Sequence, residues 1–456
     1  MLVARSSIEA IQWPAIPARR GAALLAMQFQ LERSQWWPPE TIRRHQFRQL
    51  DVLLRHAFAT VPFYRRRLHE AGIDPAAGIA DEDWARIPVL SRRDIQEAGK
   101  DLHSRRLPPR HGKAHTLQTS GSTGMPLTAL GTQLTQFFWL CFTLRDQLWQ
   151  RFDFTKKLAA IRYSGRGAGK YPDGLSMANW GPSTAPAYPS GPAVFLSIDT
   201  PVPQQVEWLQ RQDPEYLITF PSNLEAIIAY CRDQRIALPK LRAVETLAEV
   251  LYPETREACR EVWGVRVADI YSTQEAGYIA LQCPDHEHYH VQSENGLVEV
   301  VDEDGGACGP GETGRVVVTP LHNFAMPLIR YDVGDYAVVG EPCPCGRGLP
   351  VLKRILGRVR NMLTFPSGEQ RWPIFNLYKF SDVAPVRQVQ VVQKGLDELE
   401  VRLVVKAEMG EQDEERLRDV MRAGIGDAFR ITFTYHDHIP RSKGGKFEEF
   451  RSELVT

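Results

Sequence analysis

The sequence predicts an α/β protein with a large N-terminal domain of α/β layers, a β-rich subdomain, and a small α+β C-terminal domain. Three observations carry this. The middle of the chain alternates short apolar strands with helical stretches. From Gly296 the texture turns to paired apolar runs separated by turn residues. Beyond Gly357 two strictly alternating runs flank one amphipathic helix. The expected domains are residues 1–356, with the β-rich part at about 296–356, and residues 357–456.

Each element has a local reason. Phe47, Leu50, Leu54 and Phe58 recur at helical spacing, and Pro62 ends the run. Arg65-Arg66-Arg67 reads as a solvated face. Phe137 to Leu144 reads as a buried helix. Tyr216 to Phe220 is strand-like, and Asn223 to Tyr230 then reads as a helix. Val265 to Ile270 is a strand that runs into Tyr271-Ser272-Thr273-Gln274-Glu275. Leu297 to Val301 and Arg315 to Thr319 read as antiparallel strands around Asp304-Gly305-Gly306. Leu399, Val401, Leu403 and Val405 form an apolar face. Glu411 to Phe429 is a helix with Leu417, Met421 and Ile425 on one stripe and acids near its start. Ile431, Phe433 and Tyr435 alternate again.

Bulk composition excludes several classes. Lys+Arg and Asp+Glu balance at 55 each, which leaves no global field for nucleic acid or a charged membrane. At 456 residues the chain calls for two or three domains. The stretch Gly21 to Phe29 is too short to span a bilayer, and the N-terminus lacks the order of a secretory signal. Seven scattered cysteines argue against a disulfide framework, so a reduced, cytoplasmic protein is expected.

Five segments can carry chemistry. Thr119-Ser120-Gly121-Ser122-Thr123-Gly124 crowds hydroxyls and glycines into one loop. Its backbone N–H groups and hydroxyls could hold polyphosphate oxygens. It is not the Walker pattern, because no Gly-Lys-Ser/Thr follows. Tyr271 to Glu275 puts an aromatic ring, hydroxyls and a carboxylate at a strand end, where α/β sheets take nucleotides. In the run Ala325 to Asp335, Asp335 offers two acceptor oxygens to a ribose diol. Gly357-Arg358-Val359-Arg360-Asn361-Met362 is a basic strand–turn. Last, Pro440-Arg441-Ser442-Lys443-Gly444-Gly445-Lys446 carries a lysine on a glycine-rich loop, a compact charge suited to a transition state that gathers negative charge.

In this order the five segments resemble the adenylate-forming enzymes, most closely their phenylacetate–coenzyme A ligase branch. The resemblance reaches back to Val61-Pro62-Phe63-Tyr64-Arg65 and so covers nearly the whole chain. It implies ATP- and magnesium-dependent activation of a carboxylic acid, with coenzyme A as acceptor. It further implies that Thr119, Ser120, Gly121, Ser122, Thr123 and Gly124 bind phosphate. Tyr271 would lie by the adenine with Ser272 in the same nucleotide segment, Thr273 near the phosphate and Glu275 on magnesium. Asp335 would bind the ribose, and Arg358 would touch the nucleotide beside the hinge of a mobile C-terminal domain. Lys446 would be the adenylation lysine, with Lys443 its competitor. The family usually has acids where this chain has Arg360 and Asn361.

Two further readings complete the picture. Cys283, His286, Cys343 and Cys345 have the composition of a closed structural zinc site, with His288 and His290 as rival ligands. Tyr163 to Lys170 could line an acid pocket or act as a lid, and Trp139, Phe142 and Trp180 are pocket walls or core. By resemblance the acid is aryl or arylacetic. The alternatives are transfer of the acyl-adenylate to an amine or carrier protein, and a non-catalytic zinc-stapled relative.

Overall fold

A computed structural model describes residues 3–118, 127–164, 167–358, 361–373, 375, 379–442 and 445–454. The chain divides into two compact units. One comprises residues 1–158, 176–193 and 268–355; the other comprises 159–175, 194–267 and 356–456.

In the first unit, the helix Pro39–Thr60 starts with proline at its first turn and buries Leu50, Leu53, Leu54 and Ala57. It ends at the extended Val61, as a residue before proline should, and Pro62 opens the next helix, Pro62–Glu70. The helix Gln133–Trp149 is capped by Thr132, whose side chain accepts from the Thr135 N–H.

The strands of this unit follow the order Gly296–Val301, Thr313–Pro320, Tyr331–Val339, Val351–Arg358, Tyr289–Val291, Gly277–Gln282, Arg266–Thr273. The first two pair antiparallel in register, with Val298 opposite Val318 and Val300 opposite Val316. The β-rich strands continue into the rest of this unit's sheet. Tyr289 pairs with Leu352 on one side and Gln282 on the other, so the same sheet continues to the hairpin that carries Tyr271. One core, including Leu54, Tyr64, Tyr271, Leu328 and Tyr331, underlies it.

The second unit holds the strands Ala243–Leu247, Tyr216–Thr219, Leu158–Arg162 and Ala193–Ser197, in that order. Tyr216–Thr219 and Ala243–Leu247 are parallel, with the helix Pro221–Gln234 between them in sequence. The last hundred residues form a four-stranded sheet in the order Arg430–Tyr435, Glu398–Val405, Val386–Gly395, Phe450–Ser452. The helix Glu411–Ile425 buries Leu417, Met421 and Ile425. It stops short of the expected Phe429 because Gly426, at φ 73°, leaves the helical region. A separate core of Leu363, Phe380, Val391, Val401 and Leu417 fills this part.

Segments 159–175 and 194–267 group with these last hundred residues rather than with the rest of the N-terminal part. Polar contacts contribute to this grouping. Arg441 donates to Ser222 Oγ at 2.9 Å, the Phe447 N–H to Glu249 at 2.6 Å, and Lys406 pairs with Asp233. Among the described residues no helix is long and apolar enough to cross a membrane.

Candidate active site

The hairpin of Arg266–Thr273 and Gly277–Gln282 presents the Tyr271–Glu275 segment. Pairing slips between Tyr271 and Ser272, a bulge that re-aims the strand end. Thr273 Oγ1 accepts the Ala276 N–H at 3.1 Å and closes the turn. Glu275 is buried, and the Tyr331 hydroxyl donates to it at 3.4 Å. The buried Tyr271 donates its hydroxyl to Asp335 Oδ2 at 3.0 Å.

Asp335 is presented by a second irregularity. Arg315 pairs with Tyr336 and Val317 with Asp332, which leaves Val333-Gly334-Asp335 opposite a single residue. Gly334 has φ 81°, which a side chain would resist. The first unit thus brings Tyr271, Ser272, Thr273, Glu275 and Asp335 to one end of its sheet. An aromatic ring beside a two-oxygen acceptor, with a buried carboxylate nearby, is a set of groups suited to a nucleoside and a cation.

Arg358 and Lys446 belong to the second unit. Arg358 ends the strand Val351–Arg358. Asn361, where the family usually has an acid, donates its amide to the Phe450 carbonyl at 2.8 Å and so stitches the C-terminal sheet. Lys446 closes a tight loop: its carbonyl accepts the Ser442 N–H at 2.8 Å, and the Gly445 N–H returns to the Ser442 carbonyl at 2.8 Å. The segment Thr119–Gly124, expected from the sequence to bind phosphate, lies outside the described residues, as do Gly165, Arg166, Val359, Arg360, Lys443 and Gly444.

Two of the aromatic pocket candidates are core. Phe142 is 1% exposed, and Trp180 is 5% exposed and packs on Phe154 with centroids 5.4 Å apart. Trp139 packs on Tyr278, with centroids 5.0 Å apart. Tyr163 is exposed.

The cysteine cluster forms with a changed ligand set. Cys283, His288, His290 and Cys343 bring one donor atom each within 4.8 Å of one another. His286 is not among them, which corrects the sequence expectation. The reason is local: the Cys283 N–H closes a turn onto the His288 carbonyl at 2.8 Å, returning His288 beside Cys283. His290 is held by the strand Tyr289–Val291, paired on both sides. Cys345 stands next to the set, its Sγ 3.4 Å from His290 Nε2 and 3.4 Å from an Arg347 donor.

The donors fit a metal. A tetrahedral site with Zn–S of about 2.3 Å would hold two sulfurs about 3.8 Å apart, and Cys283 Sγ and Cys343 Sγ are 3.9 Å apart. His288 Nε2 is buried and meets no hydrogen-bond partner among the described residues. Burial first, then the Arg347 charge, drive the His290 imidazole down to about 3, so it is neutral and ready to ligate. Burial pushes the Cys343 thiol up to about 12, a cost that a bound cation would reverse.

Sequence reasoning passed over Glu249. It follows the strand Ala243–Leu247 and Ala248, whose φ is 73°. That is a turn at the C-terminal end of a parallel strand, the location where α/β sheets gather function.

Residues 374–452 match the CapK C-terminal domain family. The phenylacetate–coenzyme A ligase of Thermus thermophilus is 28% identical over 448 residues, covering 90% of this chain and 96% of that protein. The Pseudomonas putida ligase of the same name is 25% identical, covering 87% and 88%. Among solved structures, 2-hydroxyisobutyryl-CoA ligase in complex with R3-HIB-AMP superposes with a TM-score of 0.72 at 19% identity, over 92% of each chain. The McyG A-PCP structure with phenylalanyl-adenylate gives 0.55 at 14% identity, over 79% of this chain and 69% of that one. Over most of its length the chain is thus similar to phenylacetate–coenzyme A ligases, and it has the fold of an adenylate-forming acyl-CoA ligase.

Proposed function

We propose that the protein activates an aryl or arylacetic acid with ATP and magnesium and transfers the acyl group to coenzyme A. The observation that carries the reading is the end of the first unit's sheet, where Tyr271 meets Asp335 at 3.0 Å beside the buried Glu275. Similarity to phenylacetate–coenzyme A ligases along most of the chain supports the acid class and the acceptor.

In the first step a carboxylate oxygen attacks the α-phosphorus, the bond to the bridging oxygen breaks, and pyrophosphate leaves. In the second the coenzyme A thiolate attacks the acyl carbon, and AMP leaves with the bonding pair. Tyr271 would lie by the base with Ser272 in the same nucleotide segment, Asp335 would accept the ribose hydroxyls, and Thr273 would face the phosphate. Glu275 would hold the magnesium, which neutralises polyphosphate charge when bound. Thr119, Ser120, Gly121, Ser122, Thr123 and Gly124 would hold the leaving oxygens, Arg358 the nucleotide, and Lys446 the charge of the first transition state. Cys283, His288, His290 and Cys343 would hold a structural zinc, having no open position for chemistry.

The test is pyrophosphate release with magnesium and ATP across aryl, arylacetic and aliphatic acids, with and without coenzyme A. Acid-dependent release accelerated by coenzyme A is expected. Release indifferent to coenzyme A would move the acceptor to an amine or carrier protein, and silence with every acid would overturn the reading. Lys446→Ala should abolish adenylation while sparing transfer from preformed acyl-adenylate; equal loss of both half-reactions would remove the role given to Lys446.

A further inference from the structure

The lysine loop is tied down at both sides of Lys446. On its C-terminal side, the Phe447 N–H donates to Glu249 Oε1 at 2.6 Å. On its N-terminal side, Gly445 at φ 77° is seated so closely that a Cβ there would lie 2.8 Å from Tyr163 Cβ and 3.4 Å from the Phe220 ring.

Glu249 does more than meet Phe447. Its Oε2 accepts the Ser222 N–H at 3.0 Å, at the start of the helix Pro221–Gln234. That helix has no side-chain cap of its own at Phe220, so Glu249 serves as its cap from another element. Arg441 stands 3.7 Å from Glu249, and it donates to Ser222 Oγ at 2.9 Å and to the Gly445 carbonyl at 3.2 Å. Glu249 and Arg441 are 8% and 16% exposed, so this small network is largely out of water. A charge-assisted bond to a backbone N–H is stronger than a neutral one.

We infer that Glu249 is a positioning residue for adenylation: its carboxylate, anchored on the helix that begins at Pro221, holds the backbone next to Lys446 in one place. Arg441 and Ser222 complete the clamp. The inference rests on the adenylation role proposed for Lys446. Placing a catalytic charge to within a fraction of an ångström is where such a residue contributes rate.

The experiment pairs hydrogen exchange of the Phe447 amide with the two half-reactions, in the full-length protein. The variants are Glu249→Ala, Glu249→Gln and Ser222→Ala. Glu249→Ala should expose the Phe447 amide and lower acid-dependent ATP–pyrophosphate exchange about tenfold to a hundredfold. Transfer from preformed acyl-adenylate to coenzyme A should change less than about twofold, within ordinary context dependence. Glu249→Gln keeps an oxygen for the Phe447 N–H and should recover most of the loss. Ser222→Ala keeps the backbone donor and removes the hydroxyl that meets both Arg441 and Glu249, so it should give a smaller loss in the same half-reaction.

Unchanged amide protection in Glu249→Ala would overturn the clamp. Lost protection with full adenylation would overturn the positioning role, as would equal loss in both half-reactions. If the wild type shows no exchange with any acid, the proposed function fails, and the Phe447 amide still decides whether Glu249 holds the loop.

Discussion

Arg330 looks, in the run Arg330 to Asp335, like part of a nucleotide motif, yet its side chain is structural. It is 3% exposed, and its backbone sits at φ 51°. Its guanidinium bonds Glu299 at 3.0 and 3.3 Å and the carbonyls of Ala85 and Ile87 at 2.9 and 2.7 Å. Trp84 donates to the same Glu299 at 3.0 Å. Removing one partner leaves a buried charge without compensation, so Arg330→Ala should cost about 3–5 kcal/mol in denaturant unfolding. A loss below about 1 kcal/mol, the range of a surface pair, would contradict this.

A second residue-scale device is the hydrogen-bonded pair Glu225 and Glu449. Burial first, then the repulsion of Glu225, hold the Glu449 carboxyl well above the usual range; burial also raises Glu225. Glu249, Glu254 and Tyr252 face the pair, and Thr255 donates to Glu225. A folded-state value above the unfolded one means that folding takes up a proton. The stabilisation is therefore complete below the ordinary carboxylate pKa of about 4.3 and is lost as pH rises through the raised values. Stability should fall from mildly acid towards alkaline pH in the wild type and fall less in Glu225→Gln. Parallel pH profiles of the denaturation midpoint would refute the assignment.

At the scale of elements, two turns and a strand carry the metal donors: the turn 283–288, closed by the Cys283 N–H, the turn in which the Gly346 N–H reaches the Cys343 carbonyl at 3.1 Å, and the strand Tyr289–Val291 with His290. The two turns belong to segments 60 residues apart in sequence. A metal across them removes loop freedom from the unfolded chain and links the strands Gly277–Gln282, Tyr289–Val291 and Val351–Arg358. Protein purified without chelator should contain about one zinc per chain, and chelation should lower the thermal midpoint by several degrees. Cys283→Ser should lose metal and stability together, while His286→Ala should keep both. Retained metal in Cys283→Ser, or loss in His286→Ala, would overturn the ligand set read from the structure.

The periodicity of individual elements is legible in the sequence. Leu417, Met421 and Ile425 are buried on one helix stripe, as their spacing implies. The choice among His286, His288 and His290 is not legible, because all three lie within five residues and only the turn and strand pairing separate them.

At the scale of the whole molecule, a nucleotide that binds the folded protein and not the unfolded chain must stabilise it. Magnesium–ATP at a hundred times its dissociation constant should add about 2.7 kcal/mol. The thermal midpoint should rise, and Asp335→Ala should require more nucleotide for the same rise. No shift at any ATP concentration would argue against nucleotide binding.

The sequence by itself determined the α/β class and carried the resemblance to the adenylate-forming enzymes. These rest on ordered motifs and on periods of 2 and 3.6 residues, both of which are local properties of the chain. Tertiary structure alone decided how the chain divides and which polar groups meet. Segments 159–175 and 194–267 join residues 356–456, Tyr271 meets Asp335 across 64 positions, and Glu249 meets Phe447 across 198. Such contacts depend on where sheet order and turn geometry bring distant backbone together, and no local pattern encodes that distance.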